Sequence, residues 1–219
     1  MNQRTRIKIC GVSQEADIDA AVEAGADAVG FVFYPASVRR LTAPRAAQLA
    51  RALPPYVTPV GLFVNAPRAD IEAALQAIPT LVLQFHGDET PADCAAHQRP
   101  YLRAVRMTAE LDLLDFARRF DEAHGLLLDA DVEGFGGGGK AFDWSLVPAG
   151  FSAESKRRLV LSGGLHAGNV CAGILRFRPW AVDVSSGVES SRGVKDAAAI
   201  RRFCDAVREA DARIAASTA

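Results

Sequence analysis

Short apolar runs alternate with longer mixed segments from one end of the chain to the other. Arg6–Cys10 reads as a first strand, and Glu15–Ala24 as a helix that Gly25 stops. Ala26–Phe33 is the second strand, with a loop Tyr34–Leu41 and a helix Pro44–Leu53 that Thr42 can cap. Pro55–Val64 holds the third strand, and Asn65-Ala66-Pro67 reads as the cap and first turn of a helix Arg68–Ile78. Strands at Leu81–Phe85, Leu102–Arg106, Leu126–Asp129, Leu159–Leu161 and Ala181–Val184 follow. Helices are predicted at Pro91–His97, Leu111–Ala123, Ala167–Arg176 and Asp196–Ala210, with a short one at Asp143–Val147. The strands are apolar on both faces, as parallel strands covered by helices are. Helical crossovers between them imply a parallel sheet. Eight such βα units favour an α/β fold closed as a (β/α)8 TIM barrel. No linker divides the chain, so residues 1–219 are expected to form one domain.

Composition narrows the function classes. Hydrophobic residues make up 49% of the 219, against disorder. The formal net charge of −1 leaves no electrostatic footprint for nucleic acid. No apolar run approaches the roughly 20 residues of a membrane span, and no signal-peptide core follows Met1. Cys10, Cys94, Cys171 and Cys204 are far apart and form no CxxC pair, which argues against zinc or a disulfide framework. A cytoplasmic protein with reduced thiols is the expectation.

Two Gly/Ser clusters follow the last two strands: Ser162-Gly163-Gly164-Leu165 and Ser185-Ser186-Gly187-Val188-Glu189. Both precede helix-like segments. Small residues allow close backbone approach, and amides at a helix start favour an anion. In a (β/α)8 barrel a phosphate cup commonly lies after strands 7 and 8. Function in such barrels sits at the C-terminal strand ends. Those ends supply Cys10-Gly11, Arg39 and Arg40, Asn65, Gln84 to Gly87, Arg103 and Arg106, and Asp129.

Eight of these runs, in order, resemble the phosphoribosylanthranilate isomerase family. They are Lys8–Val12, Gly25–Phe33, Val60–Asn65, Gln84–Gly87, Leu127–Asp129, Gly136–Trp144, Leu161–Leu165 and Val182–Glu189. The resemblance covers residues 6–203. It implies an intramolecular oxidoreductase that converts N-(5′-phosphoribosyl)anthranilate to 1-(2-carboxyphenylamino)-1-deoxyribulose 5-phosphate in tryptophan biosynthesis. This Amadori rearrangement uses no metal and no organic cofactor. A monomer or homodimer with a small-molecule substrate is implied, with neither nucleic acid nor membrane as partner.

The same resemblance places Cys10 as general base and Asp129 as general acid. Asp131 shares the strand parity of Asp129 and competes for that role. Arg39 matches the arginine that holds the anthranilate carboxylate, a task suited to a bidentate guanidinium. Arg40 competes with it, because Val38 stands where the family has Pro or Lys. His86 is read as a hydrogen-bonded residue lining the site, and Asp183 as a buried carboxylate that needs partners. Gly138, in the loop after strand 6, replaces a usual Thr or Ser. It joins Gly163, Gly164, Ser185, Ser186 and Gly187 as the expected phosphate contacts. Cys94, Cys171 and Cys204 are assigned to packing. A histidine-pathway isomerase would carry Asp where Cys10 stands, and indole-glycerol-phosphate synthase would need a Lys acid and a Glu base. A non-catalytic barrel would have lost this polar set.

Overall fold

The computed structural model describes residues 4–130, 142–151 and 158–217. Eight parallel strands close into a barrel in chain order. They are Arg6–Cys10 (β1), Ala28–Val32 (β2), Thr58–Phe63 (β3), Val82–Phe85 (β4), Tyr101–Met107 (β5), Gly125–Ala130 (β6), Leu159–Leu161 (β7) and Ala181–Val184 (β8). The seam is the β1–β8 pair, in which Lys8 lies opposite Asp183. The TIM barrel expected from the periodicity is the fold.

Helices Glu15–Glu23 (α1), Ala43–Ala50 (α2), Arg68–Ala77 (α3), Pro91–Ala95 (α4), Leu113–Arg119 (α5), Val170–Phe177 (α6) and Ala197–Ser217 (α7) lie between or after the strands. Local chemistry sets their starts. The Thr42 hydroxyl accepts from Arg45 N at 3.4 Å, as expected for a cap. Thr90 and Asp93 form a reciprocal capping box ahead of Pro91. The Asp112 carboxylate caps α5 through Asp115 N at 2.9 Å. Gly25 ends α1 in the left-handed region at φ 82°.

Several boundaries differ from the sequence reading. Asn65 is not a helix cap; it sits at φ 47°, and its Oδ1 accepts from Asp88 N at 2.7 Å, which ties the end of β3 to the loop after β4. Pro67 is the N-cap of α3 instead. The segment after Asp143 makes only one 3-10 turn, Trp144–Leu146. The last helix runs on to Ser217. The second Gly/Ser cluster leads not into a helix but into a 3-10 turn, Ser186–Val188, and a hairpin, Glu189–Ser191 (β9) with Val194–Lys195 (β10).

One large apolar core joins the outer strand faces to the helices. Two smaller clusters fill the barrel interior. Cys10, Val32, Leu62 and Val64 line its β1–β3 side, and Ala104, Leu127, Val160 and Ala181 its β5–β8 side. Lys8, Gln84 and Asp183 are also buried, so the interior is partly ionic. Cys94 and Cys204 are buried in helices and Cys171 is half-buried in α6, in line with packing roles.

Candidate active site at the C-terminal strand ends

Strand pleating puts Lys8 and Cys10 on one face of β1. The Lys8 ammonium donates to Asp183 Oδ1 at 2.8 Å, with both side chains buried. Gly30 lies opposite Cys10 on β2. A Cβ there would stand 2.7 Å from Cys10 Sγ and 3.0 Å from Lys8 Nζ, so glycine leaves room for the pair. Burial opposes the Lys8 charge, but Asp183 and Cys10 outweigh it and push its pKa up to about 12. Burial likewise pushes the Cys10 thiol up; Lys8 is the largest influence pulling it back, Asp183 adds to the rise, and Lys195 opposes it.

Arg39 stands beside this pair. Its stem crosses Gly11, where a Cβ would lie 2.5 Å from Arg39 Cδ and 3.1 Å from Ser185 Oγ. Gly11 has φ 75°, a second reason for glycine there. Arg39 Nε and Nη2 donate to Glu189 Oε1 and Oε2 at 2.6 and 2.7 Å, a bidentate buried pair. Glu189 also accepts from Lys195 Nζ at 2.7 Å and Gly193 N at 3.0 Å. Burial raises the Glu189 carboxyl, but these donors more than offset it and hold the pKa at about 2. Lys195 also donates to the Ser185 carbonyl at 2.9 Å, which fixes the second Gly/Ser cluster from below.

Asp129 sits at the end of β6 in a different setting. Its Oδ2 lies 2.9 Å from His86 Nε2, and its Oδ1 accepts from Ala130 N at 2.8 Å. Gln84 Nε2 is 3.1 Å from His86 Nδ1, and Gln84 Oε1 is buried without a hydrogen-bond partner among the described residues. Two proton arrangements suit this array. In one, Gln84 donates to Nδ1 and the ring donates to a carboxylate. In the other, the Gln84 amide is turned over, Oε1 accepts from Nδ1–H, and a protonated Asp129 donates to Nε2.

Gly163 and Gly164 both have positive φ, at 73° and 64°. A Cβ at Gly163 would meet Ala130 N at 2.6 Å and Asp129 Oδ1 at 3.0 Å, so this turn passes directly against the Asp129 carboxylate. A Cβ at Gly187 would fall 1.9 Å from the Leu165 carbonyl oxygen. The two Gly/Ser turns are therefore packed on each other. Gly138 and Asp131 lie outside the described residues.

Arg103 does not join this set. It faces outward, with its guanidinium 4.9 Å from the Phe120 ring centroid and donating to the carbonyls of Phe85 and Gly87, each at 2.9 Å. Strand parity from Leu102 would have shown it. Lys8, Glu189 and Lys195 are the site residues that sequence reasoning left unassigned. Parity with Cys10 was a signal for Lys8, whereas nothing in the sequence pairs Lys195 with Glu189.

The family model described as N-(5′-phosphoribosyl)anthranilate (PRA) isomerase matches residues 7–206. The N-(5′-phosphoribosyl)anthranilate isomerase of Methylibium petroleiphilum is 69% identical over 214 residues, covering 98% of this chain and 99% of its own. A crystal structure of phosphoribosyl anthranilate isomerase from Thermotoga maritima superposes with a TM-score of 0.85 at 40% identity, over 94% of this chain and 99% of that one. A phosphoribosyl anthranilate isomerase in complex with reduced 1-(o-carboxyphenylamino)-1-deoxyribulose 5-phosphate gives 0.80 at 38% identity, with the same coverage. The chain belongs to the phosphoribosylanthranilate isomerase family.

Proposed function

We propose that this chain catalyses the Amadori rearrangement of N-(5′-phosphoribosyl)anthranilate to 1-(2-carboxyphenylamino)-1-deoxyribulose 5-phosphate in tryptophan biosynthesis, with Cys10 as general base and Asp129 as general acid. The observation that carries this reading is the contrast at two strand ends: a thiol beside a buried ammonium, and a carboxyl on an imidazole. A relative of known structure binds the reduced product, which suits the same chemistry.

The residues divide the work as follows. Asp129 gives a proton to the ribose ring oxygen, and the ring opens to a protonated Schiff base. The proton arrangement with Asp129 donating to His86 Nε2 keeps that proton available. Cys10, as thiolate, takes the C2′ proton and leaves an enolamine. Ketonisation removes the C2′ hydroxyl proton and places one on C1′, so the sum is an isomerisation. Glu189 holds the Nε/Nη2 edge of Arg39, and the other edge of the fork meets the anthranilate carboxylate. The packed turns at Gly163–Gly164 and Ser185–Gly187, with Gly138, take the phosphate. His86 lines the site beside Asp129. The setting is cytoplasmic, as a monomer or homodimer.

Anthranilate fluorescence, with substrate generated in situ, tests the reading. Wild type should turn over, and Cys10→Ser and Asp129→Asn should each lose roughly 10²–10⁴-fold in kcat. Full turnover by either folded variant would remove that residue from its role. An inactive, folded wild type would remove the substrate.

A further inference from the structure

We propose that Lys8 is the positioning cation of the thiol at Cys10: its ammonium, anchored on Asp183 inside the barrel, stabilises the thiolate form of that side chain. This rests on the reading of Cys10 as base. Geometry supports it first. Lys8 Nζ and Cys10 Sγ crowd the same point, the space left by the missing side chain of Gly30. Lys8 cannot swing away, because Asp183 holds it across the β1–β8 seam at 2.8 Å.

Charge balance supports it second. Among the described residues, the charged groups facing Cys10 are Lys8 from β1, Asp183 from β8, Arg39 from the loop after β2, and Glu189 and Lys195 from the hairpin. From β2 and β3 come Gly30, Val32 and Leu62, which carry no charge, and Tyr34 packs on the same cluster. Three cations meet two carboxylates. One positive charge is left over, and a thiolate at Cys10 neutralises it. A buried ion pair contributes little net stability once desolvation is counted, so packing alone is a weak reason for Lys8 and Asp183 to be there.

The test reads the thiol directly. The ultraviolet absorbance of the Cys10 thiolate is titrated in the full-length protein as the difference between each variant and the same variant carrying Cys10→Ser. Lys8→Met should move the Cys10 titration up by about one pH unit or more, and Lys8→Arg should restore most of that. The acid limb of kcat/KM should move with it in each case. A folded Lys8→Met protein whose Cys10 titrates as in wild type would overturn the proposal. If Lys8→Met does not fold, Lys8→Gln is read in its place, and an unchanged Cys10 titration in that folded variant would overturn the proposal equally. Full activity of Cys10→Ser in the wild-type background would sink the base reading instead, while the titration would still report on Lys8.

Discussion

The two sides of the site are built from different materials. Around Cys10 stand five charged side chains held by short, buried contacts. Around Asp129 stand an imidazole, a carboxamide and a backbone amide. The difference matches opposite needs. In the proposed roles, the thiol has to be deprotonated before it acts as a base, and fixed cations favour that form. A proton donor is better served by neutral partners, since a fixed cation favours the ionised carboxylate. One barrel mouth thus offers two electrostatic environments, one on the β1–β8 side and one on the β4–β6 side.

The contrast can be broken most severely at the proposed acid. His86→Lys would bring a cation next to Asp129, and kcat should fall by about 10²-fold or more, approaching the loss in Asp129→Asn. Steady-state kinetics checks this; unchanged turnover would mean the neutral surroundings are immaterial. Next comes the ionic side. Lys8→Ala leaves Asp183 buried and unpaired, and denaturant unfolding should show a loss of about 3–5 kcal/mol. Removal of His86 should cost less, about 1–3 kcal/mol, the loss expected when buried hydrogen bonds rather than an ion pair are broken. Equal losses would erase the distinction.

Arg39→Ala should raise KM about tenfold to a hundredfold, as expected for lost charge-assisted hydrogen bonds, and Arg40→Ala much less. The reverse order would exchange their roles. The mildest effect concerns acid. Glu189 titrates at about 2, below its ordinary 4.5. Its stabilising contribution is therefore present above about pH 4.5 and lost as pH falls toward 2. Unfolding of Glu189→Gln should depend less on pH across that window than unfolding of wild type.

The barrel was legible because local rules and the global fold agree. Thr42, Gly25 and the both-face apolar strands each point to the same units. Departures arose where a distant contact overrides local preference. Asn65 has the chemistry of a cap, but the loop after β4 takes its side chain. The run after Ser185 has no strong strand signal, yet Glu189 and Lys195 draw it into a hairpin. At the site, the motif residues stood out while their supports did not. Cys10 and Asp129 lie at strand ends that alternation identifies. Lys8, Asp183, Glu189 and Lys195 acquire partners only through barrel closure or hairpin pairing, which one-dimensional spacing does not encode.

That closure has a bearing on timing. Lys8 and Asp183 are 175 positions apart, and Thr5, just before β1, is held by Asp211 of α7, 206 positions away. A nascent chain displays Cys10 almost at once and Asp129 midway, yet the buried Lys8–Asp183 pair beside the cysteine exists only once the eighth strand arrives. Closing so long a loop adds little entropy over a loop half its length, about 0.6 kcal/mol. Late assembly is thus thermodynamically mild. The step that finishes the ring is also the one that completes the ionic pair inside it.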